Sequence, residues 1–276
     1  MDKQKFIESQ LRSIKKLCEL HEKIKDTDES LKSLQPIAVV DNSIFYVFDI
    51  NQQCDGYEFI KEYPSPNPLP EGLMAAFPLD FYENKPAAVI SAKGLENPVN
   101  YVFVYHEFVH CYQWKNFEQN IRRRLRIEKQ QMKENNFMWE LNYPFPYGDD
   151  VFIKLTGGLN KLQKERRLEA YTAYHQEMKK HLSETDFEYM LWQEWKEGFA
   201  RYAENLVRKR LGMKENSNEL SPPYDRRCFY ELGCKYIQAL RESDNATADL
   251  EKLFLRMSML TLEGYFGPIA EASIDS

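Results

Sequence analysis

Apolar positions recur every three or four residues through Phe6, Ile7, Leu11, Ile14, Leu17, Cys18, His21 and Ile24. That spacing predicts a helix over 3–25 with one buried stripe. From residue 36 the pattern changes to two β-branched and aromatic runs, Ile37–Val40 and Ile44–Phe48, parted by Asp41-Asn42-Ser43. A hairpin is expected there. Pro64, Pro66, Pro68 and Pro70 make 62–72 a surface loop, because proline lacks the N–H that an inner strand or helix needs. Residues 86–92 predict one further strand. Asn97 followed by Pro98 then predicts a helix cap with proline in the first helical position, opening a helix that runs to about Asn135.

Tyr143 to Gly148 and the pair Gly157-Gly158 mark a second loop region. After it, apolar spacing predicts helices at about 160–182, 186–211, 224–242 and 246–263. Thr185 with Glu188 is the expected capping box of the second of these, and Gly212 its stop. Strands come early and helices late. The expected class is therefore α+β, mainly helical, with a small N-terminal antiparallel or mixed sheet packed on the helix that begins at Pro98. At 276 residues the chain is read as one domain, or as two lobes, 1–135 with the sheet and 136–276 helical.

Composition narrows the function classes. The hydrophobic share of 43% is enough for a core, while a net charge of -6 offers no field for a polyanion. The basic run Arg122-Arg123-Arg124, Arg126, Lys129 and Lys133 is interleaved with Glu128 and Glu134 and reads as a solvated helix end, so no nucleic-acid partner is expected. No apolar run approaches membrane-spanning length, and the first residues lack the core of a signal peptide; the expected partners exclude the membrane and the expected compartment is the cytoplasm. The five cysteines form no C-x-x-C pair and read as reduced structural thiols.

The chemistry concentrates in Phe103 to Tyr112, which contains His106-Glu107-x-x-His110. On a helix, positions i and i+4 share one face, so both imidazoles can reach one Zn²⁺. Glu107 beside them is placed to take a proton from water without itself binding the metal. The surrounding Phe103, Val104, Tyr105, Phe108, Val109, Cys111 and Tyr112 are uncharged, as a buried motif helix requires. A catalytic zinc site usually has three protein ligands, and no histidine follows at the next expected spacing: Lys115-Asn116 stands there. A carboxylate from a later helix is the natural third ligand.

Residues 194–204, Glu-Trp-Lys-Glu-Gly-Phe-Ala-Arg-Tyr-Ala-Glu, supply a candidate. With the His106 motif, the E-G-F-A-x-Y pattern resembles the gluzincin metallopeptidases, thermolysin-like and alanyl-aminopeptidase-like enzymes in particular. The resemblance implies Glu197 as the third zinc ligand, with Gly198 and Ala200 small so that two helices can approach, and Tyr202 near the site. It also implies a zinc-dependent hydrolase of peptide or protein substrates, with the strand at 87–91 lining the cleft. Glu169 is a competing third ligand. The oxyanion of the reaction needs a second donor, for which Tyr202, Tyr224, Tyr230, Tyr265 and His175 are candidates. The alternative to an enzyme is a binding or regulatory protein that keeps this fold without turnover. Nothing in the sequence sets the oligomeric state.

Overall fold

The computed structural model describes residues 2–51, 56–65, 69–159, 167–218, 220–243 and 249–259. The amphipathic opening forms α1 (Lys3–His21), which buries Phe6, Ile7, Ile14 and Leu17 on one stripe. The two apolar runs form β1 (Ile37–Asp41) and β2 (Ile44–Asn51), paired antiparallel. Their connection places Asn42 at φ 47° and Ser43 at φ 60°, two left-handed residues that match the twist of the strands they join. Next come β3 (Gly56–Pro64), β4 (Met74–Leu79) and β5 (Lys85–Ser91).

These five strands form one sheet in the order β3-β2-β1-β5-β4. β1 pairs parallel with β5, and the other neighbours pair antiparallel, so the sheet is mixed. Side chains alternate between its faces. Ala38, Val40, Phe45, Val47, Ala87 and Val89 form a buried cluster with Leu79, overlaid by Leu73, Phe81 and Tyr82. Ile37, Val39, Phe48, Ala88 and Ile90 are buried on the opposite face. With 61% of the described residues helical beside this sheet, the class is α+β and mainly helical.

The strand β5 corresponds to the run read at 86–92. It is an inner strand, its backbone paired with β1 on one side and β4 on the other. The edge strand on that side is β4, which the sequence reading passed over. The 62–72 loop also begins later than expected, because β3 continues to Pro64.

Asn97 does act as a cap: its Oδ1 accepts from Val99 N at 3.1 Å, and a short 3₁₀ turn over Pro98–Asn100 leads into α2 (Tyr101–Gln113). The expected long helix is interrupted. A π-helical turn covers Trp114–Glu118, α3 follows at Gln119–Arg122, and α4 starts separately at Arg126–Lys133. α2 lies against β4 and β5 and buries nearly every residue, which explains its lack of a polar face.

Further helices are α5 (Trp139–Asn142), α6 (Asp150–Leu159), α7 (Arg167–His181), α8 (Glu184–Arg210), α9 (Arg227–Ser243) and α10 (Leu250–Met259). Gly157-Gly158 sit inside α6 rather than in a loop. The cap of α8 comes from Ser183, whose Oγ accepts from Asp186 N, while Glu188 accepts instead from Ile127 N. Cys18, Cys111, Cys228 and Cys234 are thiols outside any disulfide, and Cys54 lies outside the described residues. Among the described residues no helix is long and apolar enough to cross a membrane.

The chain divides into two units, Met1–Arg124 with Lys196–Ser217, and Leu125–Trp195 with Asn218–Ser276. The first contains the sheet, α1, α2 and the later part of α8. The second is helical around an aromatic core that includes Trp139, Phe152, Tyr189, Trp192 and Phe229. In it, a Cβ on Gly233 would stand 2.1 Å from the Glu194 carbonyl oxygen, so α9 meets the backbone of α8 where no other residue fits.

Candidate metal centre

Within the first unit, α2 and α8 bring His106, His110 and Glu197 together. The two imidazoles stand one helical turn apart and meet edge to face, with centroids 4.9 Å apart. Their Nε2 atoms are 3.2 Å from each other. Glu197 Oε2 lies 3.4 Å from His110 Nε2 and 3.8 Å from His106 Nε2. Four-coordinate zinc with ligand distances of about 2.0–2.2 Å sets its ligand atoms about 3.3–3.6 Å apart. The three measured edges fall around that value, so the donor triangle fits a zinc ion.

The rest of each ring explains why the nitrogens face one another. His106 Nδ1 lies 3.2 Å from Glu204 Oε2. Glu204 is itself held by Arg208 Nε at 2.7 Å, Asn216 Nδ2 at 2.8 Å and Arg201 Nε at 3.4 Å. Burial alone would raise its pKa, but the hydrogen bond and charge of His106, with Asn216 and Arg201, hold the carboxyl down at about 2. An ionised carboxylate only accepts, so His106 Nδ1 carries the hydrogen. His110 Nδ1 lies 2.8 Å from Gln113 Oε1 and donates in the same way. Both Nε2 atoms are thereby aimed at a shared space with Glu197. Two bare nitrogen lone pairs at that separation repel unless a cation lies between them.

Absent a metal, a proton on His106 would supply that cation. Burial lowers the His106 pKa, but Glu197, Glu204 and the Glu107 charge outweigh it and lift the imidazolium to about 10. A divalent metal would displace this proton and take three ligand atoms in its place.

Glu107 follows His106 on α2 and is 8% exposed. Burial raises its pKa, which makes it a stronger base than a solvated glutamate. Its neighbours on the helix are anchored from behind, since Tyr105 Oη donates to the Leu17 carbonyl of α1 at 2.6 Å.

The other residues singled out in the sequence lie elsewhere. Tyr202 comes five residues after Glu197, about 140° round an ideal helix from it, and packs beside Phe199 with centroids 6.2 Å apart. By helix geometry its Cα is off the stripe that carries Glu197. Glu169 is exposed on α7 in the second unit and is not in the cluster. His175 is paired with Glu194, and Tyr224 Oη donates to the Leu220 carbonyl. Tyr230 lies beneath Arg226, and Tyr265 lies outside the described residues. Gln113 and Glu204 were missed. Both were findable: Gln113 is one turn past His110, and Glu204 is seven residues past Glu197 on the same helical stripe.

Compared with known proteins, the chain matches no family model, no curated protein and no solved structure.

Proposed function

We propose that this chain is a zinc-dependent hydrolase of peptide bonds, of the gluzincin type, with His106, His110 and Glu197 as metal ligands and Glu107 as the general base. The observation that carries the reading is the donor triangle, with edges of 3.2, 3.4 and 3.8 Å and with both Nδ1 atoms committed to protein acceptors. A structural zinc site is normally closed by four protein ligands; a set of three leaves a position for a reacting molecule. Glu107, buried beside the triangle but not part of it, suits a base rather than a ligand.

Bound zinc would supply Lewis acidity to a carbonyl and to water at these three residues. Glu107 receives the proton that the attacking water loses and returns it to the leaving amine. Glu204 and Gln113 hold the two rings in the tautomer that a metal requires. The backbone of β5 is already paired on both sides, so an extended substrate would instead add to the outer edge of β4, beside α2. This transfers the substrate-lining role from 87–91 to Met74–Leu79.

The test is a peptide-library digest with the zinc-loaded wild type and with Glu107→Gln, which keeps the ligands and removes the base. New peptide termini in the wild type and none in the variant are expected. Identical digests, or zinc-loaded wild type that cleaves no peptide while remaining folded, would rule out the hydrolase reading.

A further inference from the structure

Gln113 is fully buried on α2, and its carboxamide makes two contacts of opposite kind. Its Oε1 faces His110 Nδ1 at 2.8 Å, and its Nε2 donates to the main-chain carbonyl of Lys196 at 3.1 Å. A carboxamide can be turned by 180°, and a histidine can carry its hydrogen on either nitrogen. Neither group alone decides the arrangement. The Lys196 carbonyl does, because a carbonyl oxygen only accepts. It requires the amide nitrogen to face it, which turns Oε1 toward His110, which requires the hydrogen on Nδ1 and leaves Nε2 bare toward Glu197.

Lys196 is the residue immediately before Glu197, and it is held a second time. Its ammonium lies 2.9 Å from Glu118 Oε1, a carboxylate 1% exposed in the π-helical turn that continues α2. Without that turn the helix would present a different side chain at this position; π-turns within helices often serve to redirect one residue in this way. Side chain and carbonyl of Lys196 are thus both gripped by the segment that carries His106 and His110.

We propose that Gln113 is a positioning residue that couples the two ligand segments: the Lys196 carbonyl orients its amide, and the amide fixes the tautomer in which His110 offers Nε2 to the metal. The inference rests on the zinc reading above. Gln113→Leu keeps the volume and removes both arms. Gln113→Glu keeps an acceptor for His110 and, with its other oxygen protonated, a donor for the Lys196 carbonyl.

Zinc affinity is measured for the full-length wild type and both variants by competition with a chromophoric chelator, with thermal melting of the metal-free forms as the folding control. Histidine side-chain ¹⁵N–¹H correlation spectra of the zinc-loaded wild type read the tautomer independently of any variant. The expected result is a 10–100-fold loss of affinity in Gln113→Leu, near wild-type affinity in Gln113→Glu, and His110 with hydrogen on Nδ1 and metal on Nε2. Wild-type affinity in Gln113→Leu, a Gln113→Glu variant as weak as Gln113→Leu, or metal on His110 Nδ1 overturns this inference while leaving the zinc site standing. A wild type that binds no zinc overturns the zinc reading itself.

Discussion

Two buried glutamates three residues apart on α8, Glu194 and Glu197, each meet histidine, and the two meetings differ in kind. In the helical unit, His175 Nε2 lies 2.5 Å from Glu194 Oε2 and its Nδ1 lies 2.6 Å from the Tyr171 carbonyl. The ring stacks on Tyr236 with centroids 4.5 Å apart, and both residues are completely buried. Each ring nitrogen faces one protein acceptor oxygen, and the two acceptors lie at opposite ends of the ring. In the sheet-bearing unit, His106 and His110 spend Nδ1 on Glu204 and Gln113 and turn Nε2 toward each other and Glu197. Three donor atoms thereby converge on one space. Histidine and glutamate in contact do not by themselves suggest a metal site; convergence of three donor atoms on one space does.

The largest effect that separates the two sites is on turnover. Glu107→Gln should lower peptide hydrolysis by about 10³-fold with zinc content unchanged, within the range for loss of a general base. Glu194→Gln should leave turnover per folded molecule as it was. Steady-state rates on a peptide found by the library digest, normalised to zinc content, make this comparison; equal losses in the two variants would erase the distinction.

Stability should respond in the opposite sense. Removing one partner of the buried pair, as in Glu194→Leu or His175→Phe alone, should cost about 3–5 kcal/mol in urea unfolding, because the remaining group is stranded. The double variant Glu194→Leu/His175→Phe should recover most of that loss. Zinc per folded chain should not change in any of the three. A double variant as unstable as the singles would show that packing around Tyr236, and not the stranded polar group, sets the cost.

A smaller effect sharpens the account of the triangle. In the metal-free protein His106 is lifted from the ordinary 6.5 to about 10, so its stabilising contribution is complete below pH 6.5 and is lost as pH rises through 10. Glu204 is depressed from 4.5 to about 2, so its contribution is present above pH 4.5 and is lost as pH falls through 2. Between those limits zinc must expel the His106 proton. Calorimetry at pH 8 in buffers of different ionisation heat should report about one proton released per zinc. No release would mean that the triangle is closed without a proton.

The smallest expected change is at Tyr202. Its position off the Glu197 stripe predicts that Tyr202→Phe alters turnover by about twofold or less, measured as kcat on the same peptide. A 10²-fold loss would return Tyr202 to the reaction as an oxyanion donor.

What the sequence made legible follows from how local each signal is. The paired histidines were visible because the i, i+4 relation is set by the helix itself, and Glu197 through the resemblance carried by the E-G-F-A-x-Y run. β1 and β2 were visible as runs of β-branched and aromatic residues, and β5 through the apolar run that ends in Val89-Ile90. β4 was not, because Met-Ala-Ala-Phe-Pro-Leu holds no β-branched residue. The breaks between α2, α3 and α4 were hidden too, since no Gly or Pro marks them. The cap of α8 was misplaced by two residues because Ser183 and Thr185 both precede acidic residues three positions on, and Glu188 had another donor to serve. Glu204 and Gln113 could be placed on the correct faces, but which acceptor meets which ring nitrogen depends on side-chain geometry between helices.

The most direct test of the central claim is zinc per chain by elemental analysis, comparing wild type with Glu197→Ala and Glu194→Gln after identical handling with zinc supplied and then removed by dialysis. The account predicts about one zinc in the wild type and in Glu194→Gln, and a large loss in Glu197→Ala. Full retention in Glu197→Ala, or no zinc in the folded wild type, would contradict it.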